Sequence, residues 1–347
     1  MSCRIAYRCL PILALWLWLG GEAVLQAQPL QRYAFSEPLM GTTFRVVVYA
    51  PSAAQAEAGV EAVWARMHEL NQRLSNYIAD SELMHLSATS GSGESIAVSD
   101  DLWTVLRAAE AVSRSTDGAF DVTIGPLTKP WRRAMRRQAW IDETAMAGLR
   151  QSVSHQYVSF DAEGQAVRLE RPGMLLDLGG IAKGYAADEA LCVLGNFGLP
   201  HALVDAGGDL RAGLAPPGAA GWSLTLSGAD QVASPTTYRL ADYAIASSGD
   251  RYQYLERDGL RYSHILDPRT GIGVTHHHQV TVVAPRGMLA DAAASALSVL
   301  PLADARAWVL GQPNLEARIE HRTEGVLWTS PGFPVAAESS KSISSQP

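Results

Sequence analysis

Residues 156–169 contain the stretch YVSFDAEGQAVRL, two strand-like runs split by Glu163-Gly164. A turn this short joins antiparallel neighbours, because a parallel pair needs a crossover of roughly a dozen residues or more. One such hairpin excludes a sheet built only from βαβ units. Further strand-like runs at 42–50 (TTFRVVVYA), 174–178, 201–205, 244–247 and 279–284 are interleaved with helical periods. Residues 55–74 set Val60, Val63, Trp64, Met67, Leu70 and Leu74 on one stripe. Ser99 precedes a helix over 100–116 whose first turn is acidic, as the helix dipole favours. Helices are also expected over 181–194 and 288–300. Antiparallel strands mixed with helices predict an α+β fold. At 347 residues and 47% hydrophobic, the chain has enough apolar side chains for a large core.

The ends read differently from the middle. Arg4 and Arg8 precede the apolar run LPILALWLWL, which is short for a membrane span and matches a secretory leader over residues 1–27. Its removal takes Cys3 and Cys9 with it. Only Cys192 then remains, so the mature chain has no internal disulfide and no cysteine metal site. Residues 28–334 read as one domain, and 335–347 as a polar, disordered tail. The expected location is periplasmic or exported, with inner-membrane association through a target or an uncleaved leader. The net charge of -7 carries no broad basic field, which argues against nucleic acid as a partner. The local run RRAMRR at 132–137 is either a solvated helix face or a contact surface for an acidic partner.

Several short stretches carry polar groups suited to chemistry. DLGGIAKGYAAD at 177–188 is a strand end, a glycine turn and a helix start, a geometry that points N–H groups at an anion. It lacks the GxxxxGK[ST] and GxGxxG patterns. GAFDVTIGPL at 118–127 reads as a loop framing Asp121 and Thr123, residues that also serve as ordinary turn formers. ADAAASAL at 290–297 sets Asp291 and Ser295 four residues apart on one helix face, where two oxygens suit a hard cation or bond to each other. SHILDPRTG at 263–271 places a base, an acid, a cation and a hydroxyl in one tight loop. His276, His277 and His278 read as strand-entry residues, since neighbours in a strand point to opposite faces.

Together these stretches, with MGTTF at Met40, LSNYIADSEL at Tyr77, LVDAGGDL and IASSGD, occur in one order along the chain. In that order the chain resembles the FAD:protein FMN transferases, the ApbE-type flavin transferases. The resemblance implies an ApbE-type α+β fold related to the T-fold, with mixed antiparallel sheets and packed helices around a flavin cleft. It implies transfer of FMN from FAD to a Thr or Ser hydroxyl of an exported or membrane redox protein, with Mg²⁺ present and AMP released. His264 matches the proposed base. Met40, Tyr77, Ala119, Phe120, Asp121, Asp177, Lys183 and Leu266 match FAD-contacting positions. Gly180, Asp291 and Ser295 match metal ligands, with Ser295 standing where the family usually has Thr. Arg269 is expected to offset phosphate charge. WRRAMRR also departs from the family pattern, and GAAGWSLTLSG lacks an acidic residue often found there. FAD hydrolysis to FMN and AMP, or FAD binding without catalysis, are the alternative activities.

Overall fold

The computed structural model describes residues 29–226, 235–249 and 254–337. The expected leader at 1–27, the expected tail beyond residue 337 and Asp250 of the IASSGD motif lie outside the described residues. Among the described residues, no helix is long and apolar enough to cross a membrane.

The chain begins with a hairpin, β1 (Gln31–Leu39) and β2 (Thr42–Ala50), joined by Met40-Gly41 with both residues at positive φ. A two-residue turn of this hand matches the natural twist of the strands. Helix α1 (Ala53–Leu74) is capped by Ser52 and buries the predicted stripe apart from Trp64, which is half-buried. Then come α2 (Glu82–Ala88), β3 (Ile96–Ala97), α3 (Asp100–Ser115), α4 (Gly125–Arg137) and α5 (Glu143–Arg150). The expected hairpin is β4 (Val158–Asp161) and β5 (Ala166–Leu169), and β3 joins it as a small sheet. Next are α6 (Ala182–Asn196), β6 (Ala202–Ala206), β7 (Leu210–Ala212), β8 (Trp222–Leu226), β9 (Thr236–Leu240) and β10 (Ala244–Ser248). The last elements are β11 (Tyr254–Arg257), β12 (Leu260–Ser263), β13 (His278–Ala284), α7 (Gly287–Val299), α8 (Leu302–Leu310), β14 (Glu316–His321) and β15 (Gly325–Thr329).

The main sheet runs β1-β2-β6-β7-β10-β13-β14-β15, with every neighbour antiparallel. This is the expected α+β architecture. Strand alternation splits the core in two. Phe44, Val46, Val48, Val280 and Val282 face a helical layer of α1, α6 and α7. Val47, Tyr49, Leu203 and Val283 face the β8–β9 hairpin through Trp222, Leu224 and Tyr238. Both faces are therefore covered, which removes most of the sheet from water.

Two expectations are corrected. Residues 174–178 form no strand, because Leu175 makes only an isolated parallel bridge to Ile124 and its carbonyl accepts from Gly125. The loop expected over 118–127 ends early, at the start of α4. Pro126 suits that first turn, where a helix leaves its N–H groups unbonded anyway.

Candidate functional site

A cleft of about 1000 Å³ opens where the helical layer meets α4 and the loop after β12. That volume is at the upper end for small-molecule pockets. Nine of the sequence-predicted residues line it: Tyr77, Ala119, Phe120, Asp121, Asp177, Gly180, His264, Leu266 and Ser295. They come from separate parts of the chain.

His264 is exposed on the loop after β12. The loop is pinned on both sides of it. Ser263 donates its N–H to the Val274 carbonyl, and Val274 returns one to Ile265, at 2.9 and 3.0 Å. The buried Trp131 indole donates to the Ser263 carbonyl at 3.0 Å. Gly273 is required here, since a Cβ would lie 2.2 Å from the Ser263 oxygen. Arg269, expected to offset phosphate charge, does not line the cleft. Its guanidinium grips Asp267 of its own loop with two 2.9 Å contacts and faces a second, smaller pocket.

Asp121 is buried and accepts from the Thr123 N–H and hydroxyl and from the His155 N–H, at 2.8, 2.7 and 2.6 Å. Burial pushes its carboxyl above the usual range despite these donors. Asp177 bonds the Gly179 N–H at 3.0 Å and meets Arg132 at 3.4 Å. Arg132 also donates to the Tyr77 hydroxyl at 2.6 Å and lies over its ring, fixing an otherwise exposed aromatic at the cleft edge.

Met40, Lys183 and Asp291 are not on the cleft wall. Met40 occupies the β1–β2 turn. That turn abuts the Gly207-Gly208 turn, where a Cβ on Gly207 would strike Thr42 at 2.2 Å. Lys183 and Asp291 lie beneath the cleft in a buried trio. The Lys183 ammonium bonds Asp209 and sits 3.5 Å from Asp291. Asp291 also accepts the Gly184 N–H at 3.1 Å, so the anion held by the start of α6 is this carboxylate. Four residues along α7, Ser295 reaches the cleft against Gly180, where an added Cβ would lie 2.7 Å from its Oγ.

The ApbE family profile matches residues 40–319. The chain belongs to the ApbE family. A FAD:protein FMN transferase of Vibrio cholerae is 32% identical over 280 residues, covering 79% of this chain and 83% of the relative. One from Treponema pallidum is 33% identical over 300 residues, 81% of each chain. Among solved structures, the flavin transferase ApbE from Vibrio cholerae aligns with a TM-score of 0.77 at 27% identity, over 89% of this chain and 98% of that one. The Pseudomonas stutzeri flavinyl transferase ApbE, in its apo form, aligns with a TM-score of 0.75 at 27% identity, over 89% and 96%.

Within this ApbE chain the buried trio sets two carboxyl groups against one ammonium. Burial, then repulsion from Asp291, pushes the Asp209 carboxyl up to about 7, with Lys183 pulling it back. Burial likewise raises Asp291, and Lys183 opposes it. Two carboxylates share one ammonium, which leaves an uncompensated negative charge when both are ionised. Among the described residues, no three His, Cys, Asp or Glu side chains converge as a metal cage. The donors here are instead a carboxylate, a hydroxyl and the Gly180 backbone. That all-oxygen set fits a small hard dication.

Two groups escaped the sequence reading. Asp209 sits in a glycine turn 26 residues from Lys183, and only its place after Gly207-Gly208 hinted at a role. Arg132 and Arg136 line the cleft, a place that the reading of their run as a solvated helix face or a contact surface for an acidic partner did not include.

Proposed function

We propose that this chain transfers the FMN half of FAD to a Thr or Ser hydroxyl of an exported or membrane-bound redox protein and releases AMP. The observation that carries the reading is the convergence in one cleft of His264, Ser295 with Gly180, and the Tyr77–Arg132–Asp177 edge. The named activity of the relatives supports it.

His264 takes the proton of the acceptor hydroxyl, a contribution of ~10²–10⁴-fold for a well-placed base. The acceptor oxygen then bonds to the flavin-side phosphorus. The bond from that phosphorus to the bridging oxygen breaks, and AMP departs with that oxygen. Tyr77, braced by Arg132, offers a flat face to a ring of FAD. Phe120 and Leu266 supply apolar wall. Asp291, Ser295 and the Gly180 backbone would hold Mg²⁺, which neutralises pyrophosphate charge when bound. Lys183 holds Asp291 in place and limits the negative charge beneath the phosphates. The expected leader would carry the protein to the exported compartment where such acceptors reside.

The test is to incubate the protein with FAD, Mg²⁺ and an acceptor, following AMP and protein-bound flavin together. Equal amounts of both are expected. AMP with free FMN instead would select FAD hydrolysis, and intact bound FAD would select a binding protein. His264→Ala should abolish transfer and keep FAD affinity. Transfer at the normal rate in that variant would refute the base assignment.

A further inference from the structure

Helix α4 carries Lys129, Arg132, Arg133, Arg136 and Arg137, all exposed. Their spacing sorts them into two stripes. Arg132 and Arg136 line the cleft, while Lys129, Arg133 and Arg137 lie one residue round the helix and outside it. Arg132 meets Asp177, but no carboxylate among the described residues pairs with the other four. Elsewhere Arg66, Arg107, Arg211, Arg257 and Arg318 all sit against carboxylates. Like charges three and four residues apart repel along a helix, and among the described residues only the Arg132–Asp177 contact offsets that repulsion. A chain of net charge -7 does not acquire such a band through basic composition.

We infer that α4 is a docking lip for the acceptor protein, and that the acceptor segment flanking the target hydroxyl is acidic. The inference rests on the transferase reading, which brings a protein segment across the cleft mouth to His264. A segment entering there crosses the side of the cleft that Arg132 and Arg136 form. The phosphates of FAD account for cations inside the cleft. They do not account for Lys129, Arg133 and Arg137 outside it, where only a larger partner reaches. Acidic flanks meet this band with complementary charge, which speeds encounter and fixes orientation.

The experiment titrates short dye-labelled peptides into the full chain. Each peptide has one Thr, flanked either by Asp and Glu or by Asn and Gln. Wild type is compared with the double variant Arg133→Glu, Arg137→Glu at low and high salt. The acidic peptide should bind the wild type roughly tenfold tighter than the neutral one at low salt, and lose that advantage in high salt or in the variant. FAD affinity, read by flavin fluorescence, should not change, since neither residue lines the cleft. With an acidic acceptor, KM should rise in the variant while kcat holds. Equal binding of the two peptides, or indifference to the double reversal, overturns the docking lip. Equal peptide binding combined with variant-sensitive binding to phosphatidylserine vesicles overturns it in favour of a membrane surface. Charge-selective peptide binding without any flavin transfer supports the lip and removes the transferase reading alone.

Discussion

Asp209 is a carboxyl group whose proton the folded protein holds more tightly than the unfolded chain does. Its pKa rises to about 7 through burial and the nearby Asp291, against an unfolded value of 3.8. Between about pH 4 and pH 7 the native state therefore holds more protons than the unfolded one at this position. By linkage its contribution to stability falls as pH rises through that window. Without divalent cations, the stability difference between wild type and Asp209→Asn should swing against the wild type from pH 4 to pH 7. Thermal melts in EDTA check this, and added Mg²⁺ should shrink the swing, because a cation favours the ionised carboxylates. A difference that stays flat with pH would disprove the assignment. At this scale the sequence was partly legible. Asp291 and Ser295 could be paired because a helix repeats every 3.6 residues. Asp209 could not, because its partner lies on another element and no local period links them.

At the scale of elements, α6 and α7 cap each other. Asp291 of α7 bonds the Gly184 N–H in the first turn of α6. Asp188 of α6 bonds the Gly287 and Met288 N–H groups that open α7, at 2.7 and 3.0 Å. These are helix N–H groups that otherwise lack partners. The exchange demands close approach, and glycine permits it on both sides. A Cβ on Gly184 would lie 2.1 Å from the Gly287 oxygen, and one on Gly287 would lie 2.4 Å from the Gly184 oxygen. Both obstacles are backbone, so neither can turn aside. Gly184→Ala should destabilise by ~1–3 kcal/mol, as overpacking does, and should lower activity by shifting Asp291 and Ser295. Urea unfolding reports the first effect and AMP release the second. A variant with unchanged midpoint and rate would mean the helices are not this close. Both helices are legible in the sequence from their apolar periods. The sequence reading did not find that Asp188 reaches α7, a contact made across 99 residues. It also took 174–178 for a strand, since five apolar-rich residues look alike whether they pair or simply cross the core.

For the whole molecule, one ion network ties the helical layer together away from the cleft. Arg66 on α1 bonds Asp101 at the start of α3 at 2.5 Å and Glu189 on α6 at 2.8 Å. Arg73 of α1 and the Tyr185 hydroxyl of α6 complete the shell around Asp101. Burial opposes ionisation of Asp101, yet its bonds to Arg66, Tyr185 and Arg73 outweigh burial and hold the carboxyl below the usual range. Such an arrangement is invisible in the sequence, because its members lie on three separate helices. The α+β class was legible because hairpins and helices announce themselves locally, whereas the order of an eight-stranded sheet depends on contacts between distant segments. Replacing Arg66 with Met keeps the apolar stem and removes the charge. Losing one partner of a buried pair costs ~3–5 kcal/mol, and the remaining bonds from Arg73 and Tyr185 should reduce this to about 2–3 kcal/mol. The urea midpoint should fall with an unchanged slope, because the same surface is exposed on unfolding. None of the five residues lines the cleft, so the rate of AMP release per folded molecule should hold. A large loss of rate at full stability would instead mean that the helical layer transmits strain to Asp291 and Ser295. An unchanged midpoint would mean that Arg73 and Tyr185 alone satisfy Asp101.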